Sequence, residues 1–111
     1  MKTYIVMKYN RLPKIAKRFP DAVHDIVRKA AYDVEGHAKM VVPVDTGVLK
    51  NSIRTEMINK HTAIVATHME YAAYVEFGTR YQRAKPYMRP AAERVFPGFV
   101  EALRWLEGRL A

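Results

Sequence analysis

Between Pro20 and Pro43 the sequence carries one unbroken apolar stripe, in which Val23, Ile26, Val27, Ala30, Ala31, Val34, Ala38 and Val41 recur at steps of three and four. That period is helical and predicts an amphipathic helix over residues 20–41. Proline in a first turn sacrifices no helical hydrogen bond, and Asp21 beside it puts negative charge where the helix dipole favours it. At the other end Pro43 restricts Val42 to extended geometry and stops the helix. A helix with one long oily face has to bury it against another layer, and the rest of the chain must supply that layer.

Val48 to Ser52 follows Pro43-Val44-Asp45-Thr46-Gly47 and reads as a helical turn that Asp45 or Thr46 is placed to cap. Ile53, Thr55 and Met57 then alternate with Arg54 and Glu56, the pattern of a half-exposed strand. Asn59-Lys60 suits a tight turn, and His61–Thr67 supplies a returning, β-branched strand. Tyr71, Tyr74, Val75 and Phe77 fall along one side of a short helix ending at Gly78. Residues 79–89 form a polar, cationic loop. Pro90 opens a last helix bearing Val95, Phe99, Val100, Leu103, Leu106 and Leu110, in which Pro97-Gly98 predicts a kink or two pieces. Residues 1–18 read equally as a strand, a short helix or a flexible basic arm.

The expected fold is therefore α+β: a long N-terminal helix, a β-hairpin-based antiparallel sheet, and a short helix and a C-terminal helix packed on one sheet face. A two-stranded hairpin is marginal alone. Either Tyr4–Met7 pairs with it or strands of neighbouring copies do, and the shortage of strands points to self-assembly.

A length of 111 residues suits one domain spanning 1–111 and leaves no room for a second, catalytic one. Cysteine is absent, which removes disulfides, thiolate nucleophiles and cysteine-ligated metals and suits the cytoplasm. Tyr4-Ile5-Val6-Met7 is too short and too closely flanked by Lys2 and Lys8 for a signal peptide, and no run approaches a bilayer span, so a soluble protein is expected. The net charge is +8, and it is unevenly placed. Residues 1–20 hold six cations and no acid, and the stretch between Glu76 and Glu93 holds Arg80, Arg83, Lys85 and Arg89 with no acid. Such blocks favour phosphate or an acidic protein surface, against the plain alternative of a solvated face.

Asp45-Thr46-Gly47 matches the catalytic triplet of aspartic proteases, and a retroviral-type enzyme of this size works as a dimer with one carboxylate per subunit. Here the triplet follows a long helix instead of a buried strand, and no Gly-rich flap follows, which favours the capping role. His24, His37, His61 and His68 show no metal-ligand spacing, and Ser52 has no supporting histidine. Neither a phosphate-binding Gly-rich loop nor a cofactor motif is present. Tyr71, Tyr74, Phe77, Tyr81 and Tyr87 interleave with Arg80, Arg83, Lys85 and Arg89, a mixture found in sequence-independent nucleic-acid binders, but the spacing of a short helix followed by a loop favours core or subunit interface.

Three blocks carry a resemblance: Val42 to Ile53 with its Pro-Val-Asp-Thr-Gly core, Tyr71-Ala72-Ala73-Tyr74-Val75-Glu76-Phe77-Gly78-Thr79, and Ala84-Lys85-Pro86-Tyr87-Met88-Arg89-Pro90-Ala91. In order and spacing they resemble the tailed-bacteriophage head-tail joining family, the neck, tail-completion or minor tail component proteins, over residues 20–110. Tyr87-Met88 stands where that family commonly has Phe-Leu. The resemblance implies a small α+β virion subunit without enzymatic activity, cofactor or small-molecule substrate. It implies a homo-oligomeric ring at the head–tail junction, between the connector or head-closure protein and the tail-tube or tail-terminator protein, around the passage of DNA. Asp45, Thr46 and Gly47 would shape the turn between helix and hairpin. Glu76, Phe77 and Gly78 would end the short helix, and Arg89 and Pro90 would fix the loop against the last helix. Arg80, Tyr81, Arg83, Lys85 and Arg89, with the basic arm, would contact a partner or DNA.

Overall fold

The computed structural model describes residues 3–43 and 47–108. In chain order they form β1 (Thr3–Ile5), α1 (Leu12–Arg18), α2 (Pro20–Val41), α3 (Val48–Ser52), β2 (Arg54–Asn59), β3 (Thr62–Thr67), α4 (Ala72–Phe77) and α5 (Met88–Gly108). The fold is α+β, with helices packed on a three-stranded antiparallel sheet of order β1-β3-β2.

Of the stretch that reads equally as strand, helix or arm, residues 3–18 supply both a strand and a helix. Thr3, Tyr4 and Ile5 pair with Thr67, Ala66 and Val65, so β3 becomes the central strand. The sheet therefore gains its third strand from within the chain, and the argument for self-assembly from too few strands no longer holds. α1 and α2 are almost continuous. Pro20 has no N–H to offer and drives Phe19 out of helical geometry, to φ −133° and ψ 64°, and this breaks one helix into two.

α2 buries Val23, Val27, Ala30, Ala31, Val34 and Ala38, the inner part of the predicted stripe. It packs across β3 and β2 and along α5. α5 answers with Ala91, Ala92, Val95, Phe99, Leu103 and Leu106. Against the expected kink or break into two pieces, α5 runs as one helix through Pro97. Pro97 cannot donate to the carbonyl one turn back, but that carbonyl belongs to the exposed residue Glu93, on the solvent side of the helix, where losing the bond is least costly.

The hairpin turns at Lys60-His61, one residue later than predicted, with a register irregularity between Met57 and Asn59. Its tip is tied to the start of α2. His24 Nδ1 lies 2.6 Å from the Lys60 carbonyl, His61 Nε2 lies 3.0 Å from the Pro20 carbonyl, and Lys60 pairs with Asp21 at 2.7 Å. Ser52 Oγ, 2.5 Å from Thr67 Oγ1, ties the end of α3 to the end of β3.

Glu35 of α2 reaches β2 from the side. Its Oε1 accepts the Thr55 backbone N–H at 2.6 Å, and its Oε2 accepts from Lys39 Nζ at 3.1 Å. Burial alone would raise the pKa of this carboxyl, but the hydrogen bonds from Thr55 and Lys39 outweigh it, and the net shift is downward from 4.5. A carboxyl held low in the folded state stabilises fully above its unfolded pKa, and that contribution disappears as pH falls through the folded value. Glu35→Gln should cost about 1 kcal/mol near neutral pH. In urea titrations the gap between wild type and variant should close as the pH is lowered from 4.5 through the folded pKa; a gap that stays constant with pH would show that the charge is not what holds β2.

Candidate functional site

The rings that the sequence sets along one side of α4 do not enter the core. The buried residues of α4 are Ala72 and Glu76, four apart on one face. Tyr74 and Phe77 are 60% and 75% exposed, and Tyr71 is 39% exposed. The space over small Ala72 is filled instead by Tyr87, which is fully buried and donates its hydroxyl to the Ala72 carbonyl at 3.1 Å. Burial, with the nearby Glu76 charge and Tyr71, raises the pKa of this phenol, so it remains a donor.

Glu76 explains why the inward face is polar. Its Oε1 accepts the backbone N–H groups of Tyr87 (3.1 Å) and Met88 (2.8 Å), and its Oε2 accepts that of Arg89 (3.2 Å). These are amides at the start of α5, which lack partners within the helix. A carboxylate there also faces the positive end of the helix dipole. Although only 5% exposed, Glu76 is satisfied by three charge-assisted bonds.

The loop between α4 and α5 is folded back on itself. Gly78 ends α4 at φ 78° and ψ 175°, a region essentially reserved for glycine. A Cβ there would lie 2.7 Å from the Ala84 nitrogen, so the loop also packs against the glycine face. Thr79 N–H donates to the Gln82 carbonyl, and Thr79 Oγ1 accepts from the Tyr81 and Gln82 amides at 3.1 and 3.0 Å. Lys85 N–H then returns to the Val75 carbonyl at 2.8 Å. This backbone wiring turns Arg80, Tyr81, Arg83 and Lys85 to solvent, with Tyr81 87% exposed. Arg80, Arg83 and Lys85 have no ion-pair partner among the described residues. Arg89 differs, since its Nε pairs with Glu93 at 2.9 Å on the surface of α5.

Asp45 and Thr46 lie outside the described residues, so neither the capping role nor the protease carboxylate is located. Gly47 stands at the N-cap of α3 with φ 78°, a left-handed geometry suited to glycine, and its carbonyl accepts the Asn51 amide at 3.0 Å. Pro43, Gly47 and Leu49 form one wall of a cleft of about 320 Å³ whose other wall is Tyr71, Tyr74, Val75, Thr79 and Gln82. The fold thus brings the first two sequence blocks to one cleft and joins the second to the third through Glu76. Phe77 points away from both junctions, and Pro90 is an exposed residue in the first turn of α5. Among the described residues no group of three or more His, Asp or Glu could hold a metal ion.

Sequence reasoning missed the part played by Glu76 and Tyr87. One signal was available: no Ser, Thr, Asp or Asn occurs at residues 84–90, so the amides opening α5 had to find an acceptor from elsewhere in the chain.

Glu76→Ala should destabilise by about 3 kcal/mol or more, because three amides lose a charged acceptor while remaining near the core. Glu76→Gln should recover part of that loss in chemical denaturation. Gly78→Ala should cost roughly 1–3 kcal/mol for its backbone conformation alone, with the Ala84 contact adding to it, and an unchanged melting temperature would contradict the loop geometry described.

A family model described as "Bacteriophage HK97-gp10, putative tail-component" matches residues 9–78. That span takes in α1, which lies ahead of the 20–110 of the resemblance, together with the first block and the second as far as Gly78, and ends before the third block. No curated protein and no solved structure matches the chain.

Proposed function

Given that the chain belongs to the HK97-gp10-like family of bacteriophage tail components, we propose that it is a non-enzymatic structural subunit of the phage neck that joins head to tail. Membership makes it a tail-associated structural component of the virion. No helix among the described residues is long and apolar enough to cross a membrane. The finer reading is that copies form a ring, docked on one side to the connector or head-closure protein and on the other to the tail-tube or tail-terminator protein.

The observation that carries this reading is the surface formed by α4 and the loop after it. Tyr71, Tyr74, Phe77 and Tyr81 stand exposed beside Arg80, Arg83 and Lys85, which have no ion-pair partner among the described residues. Aromatic and Arg side chains are the residues enriched at the energetic centres of protein interfaces. Docking surfaces gain affinity when their geometry is set beforehand, and here Glu76, Gly78 and Thr79 hold the backbone beneath these side chains. With the third strand supplied internally, ring formation rests on this surface and on exposed Tyr4, Val6 and Ile58 at the sheet, not on a missing strand.

Arg80→Ser/Arg83→Ser/Lys85→Ser, and separately Tyr74→Ser/Phe77→Ser, should leave the subunit folded but stop head–tail joining. Infections carrying either variant should accumulate separate heads and tails by negative-stain microscopy; a normal yield of joined particles would refute the docking role.

A further inference from the structure

A second cationic surface forms where the connection after β1 meets the end of α5. Lys8, Tyr9, Asn10, Arg11 and Arg104 line one open hollow of about 380 Å³. Glu107 fixes its rim, pairing with Arg11 Nη1 at 2.7 Å through one oxygen and accepting from the Tyr9 hydroxyl at 3.5 Å through the other. Lys8 and Arg104 are exposed and have no ion-pair partner among the described residues. Beside the hollow, α1 buries Ile15 and Ala16 and leaves Lys14, Lys17 and Arg18 exposed. Lys14 lies one helical turn from Lys17 and Arg18, which sets the three on one face with Cβ atoms about 5–6 Å apart. Lys8, Arg11 and Arg104 thus line the hollow, Lys14, Lys17 and Arg18 lie on the adjoining helix, and Glu107 is the carboxylate bonded at the rim; Arg104 joins the others only through folding.

We propose that this surface binds the phosphodiester backbone of double-stranded DNA without reading base sequence. Its composition separates it from a protein-docking face. The exposed side of α1 is lysine and arginine with no large apolar or aromatic anchor, whereas lysine is depleted and aromatics are enriched at protein interfaces. Phosphate contact requires none of those anchors, because neutralising the duplex's dense charge, about one per 1.7 Å of axis, releases counterions and supplies the binding free energy. Interfaces of this kind are more polar and far more positive than those between proteins. The inference is independent of the docking role of residues 71–89: it concerns other residues, and either can fail alone.

The test is fluorescence anisotropy of the full chain with a labelled duplex of about 20 bp across about 50–200 mM salt. The expected log–log salt slope is about −3 to −5, at roughly 0.9 per phosphate neutralised. Lys14→Ser/Lys17→Ser/Arg104→Ser should flatten the slope by about 2 to 3 and weaken binding at least about tenfold at the lowest salt. Arg80→Ser/Arg83→Ser/Lys85→Ser removes equal charge and should leave the slope near that of wild type. Circular dichroism checks the fold of each variant, and Lys17→Glu alone on the exposed face of α1 carries the same comparison if the first triple unfolds. Absence of binding at the lowest salt, equal losses from both triples, or a slope unmoved by the α1 substitutions would overturn the proposal. Displacement of the duplex by poly-glutamate at matched charge concentration would overturn it too, in favour of an acidic protein partner.

Discussion

The carboxylate of Glu76 accepts hydrogen bonds from the amides of Tyr87, Met88 and Arg89, and through them closes residues 76–89 into a ring of covalent chain and hydrogen bonds. A helix usually draws its first acceptor from the residue just before it. α5 has no such residue, so its opening amides depend on a side chain eleven to thirteen positions earlier. A charge this buried persists only where it is fully bonded, and the amides and the helix dipole together meet that condition. The return contact of Lys85 on Val75 and the Tyr87 hydroxyl on Ala72 tie the same loop back to the preceding turn of α4. Three short sequence features, an Ala-x-x-x-Glu face, a glycine and an X-Pro-Tyr approach to a helix, thereby act as one structural unit.

The remainder of the fold rests on two apolar stripes of matching length. α2 lies between the sheet and α5 and shares its inner face with both, which is why alanines at positions 30, 31 and 38 alternate with valines along it. Small side chains let the layers approach, and Phe99 and Leu103 of α5 fill what remains. The rings of α4 stay outside this core, and the ring bonded to α4 from within is Tyr87, through the Ala72 carbonyl. An apolar surface at the α4 end of the molecule is therefore a direct result of how that end is packed.

The periodicities of α2, β2, β3 and α5 were readable because each reports a face buried along most of its length. The orientation of α4 was not readable, for the opposite reason. In a six-residue helix two buried positions decide the orientation, and here they are an alanine and a glutamate, residues with little weight in an apolar count. Pro97 misled in a similar way, since local chemistry forecast a break while the stripe on either side continued in phase and the residue one turn back, Glu93, was exposed. The third strand was visible only as an apolar tetrapeptide whose partner lies some sixty residues away. Of the candidate site, the exposed cations of 80–85 followed from composition, whereas the grouping of Arg104 with α1 required the tertiary structure.

The bond from Glu35 to Thr55 has a consequence for how this sheet grows. β2 is an outer strand, and outer strands invite further strands through their free amides. At Thr55 the amide already has a carboxylate acceptor from the same chain, so an incoming strand meets an occupied donor and an anionic group in its path. One side chain thereby makes that margin a poorer template for an added strand.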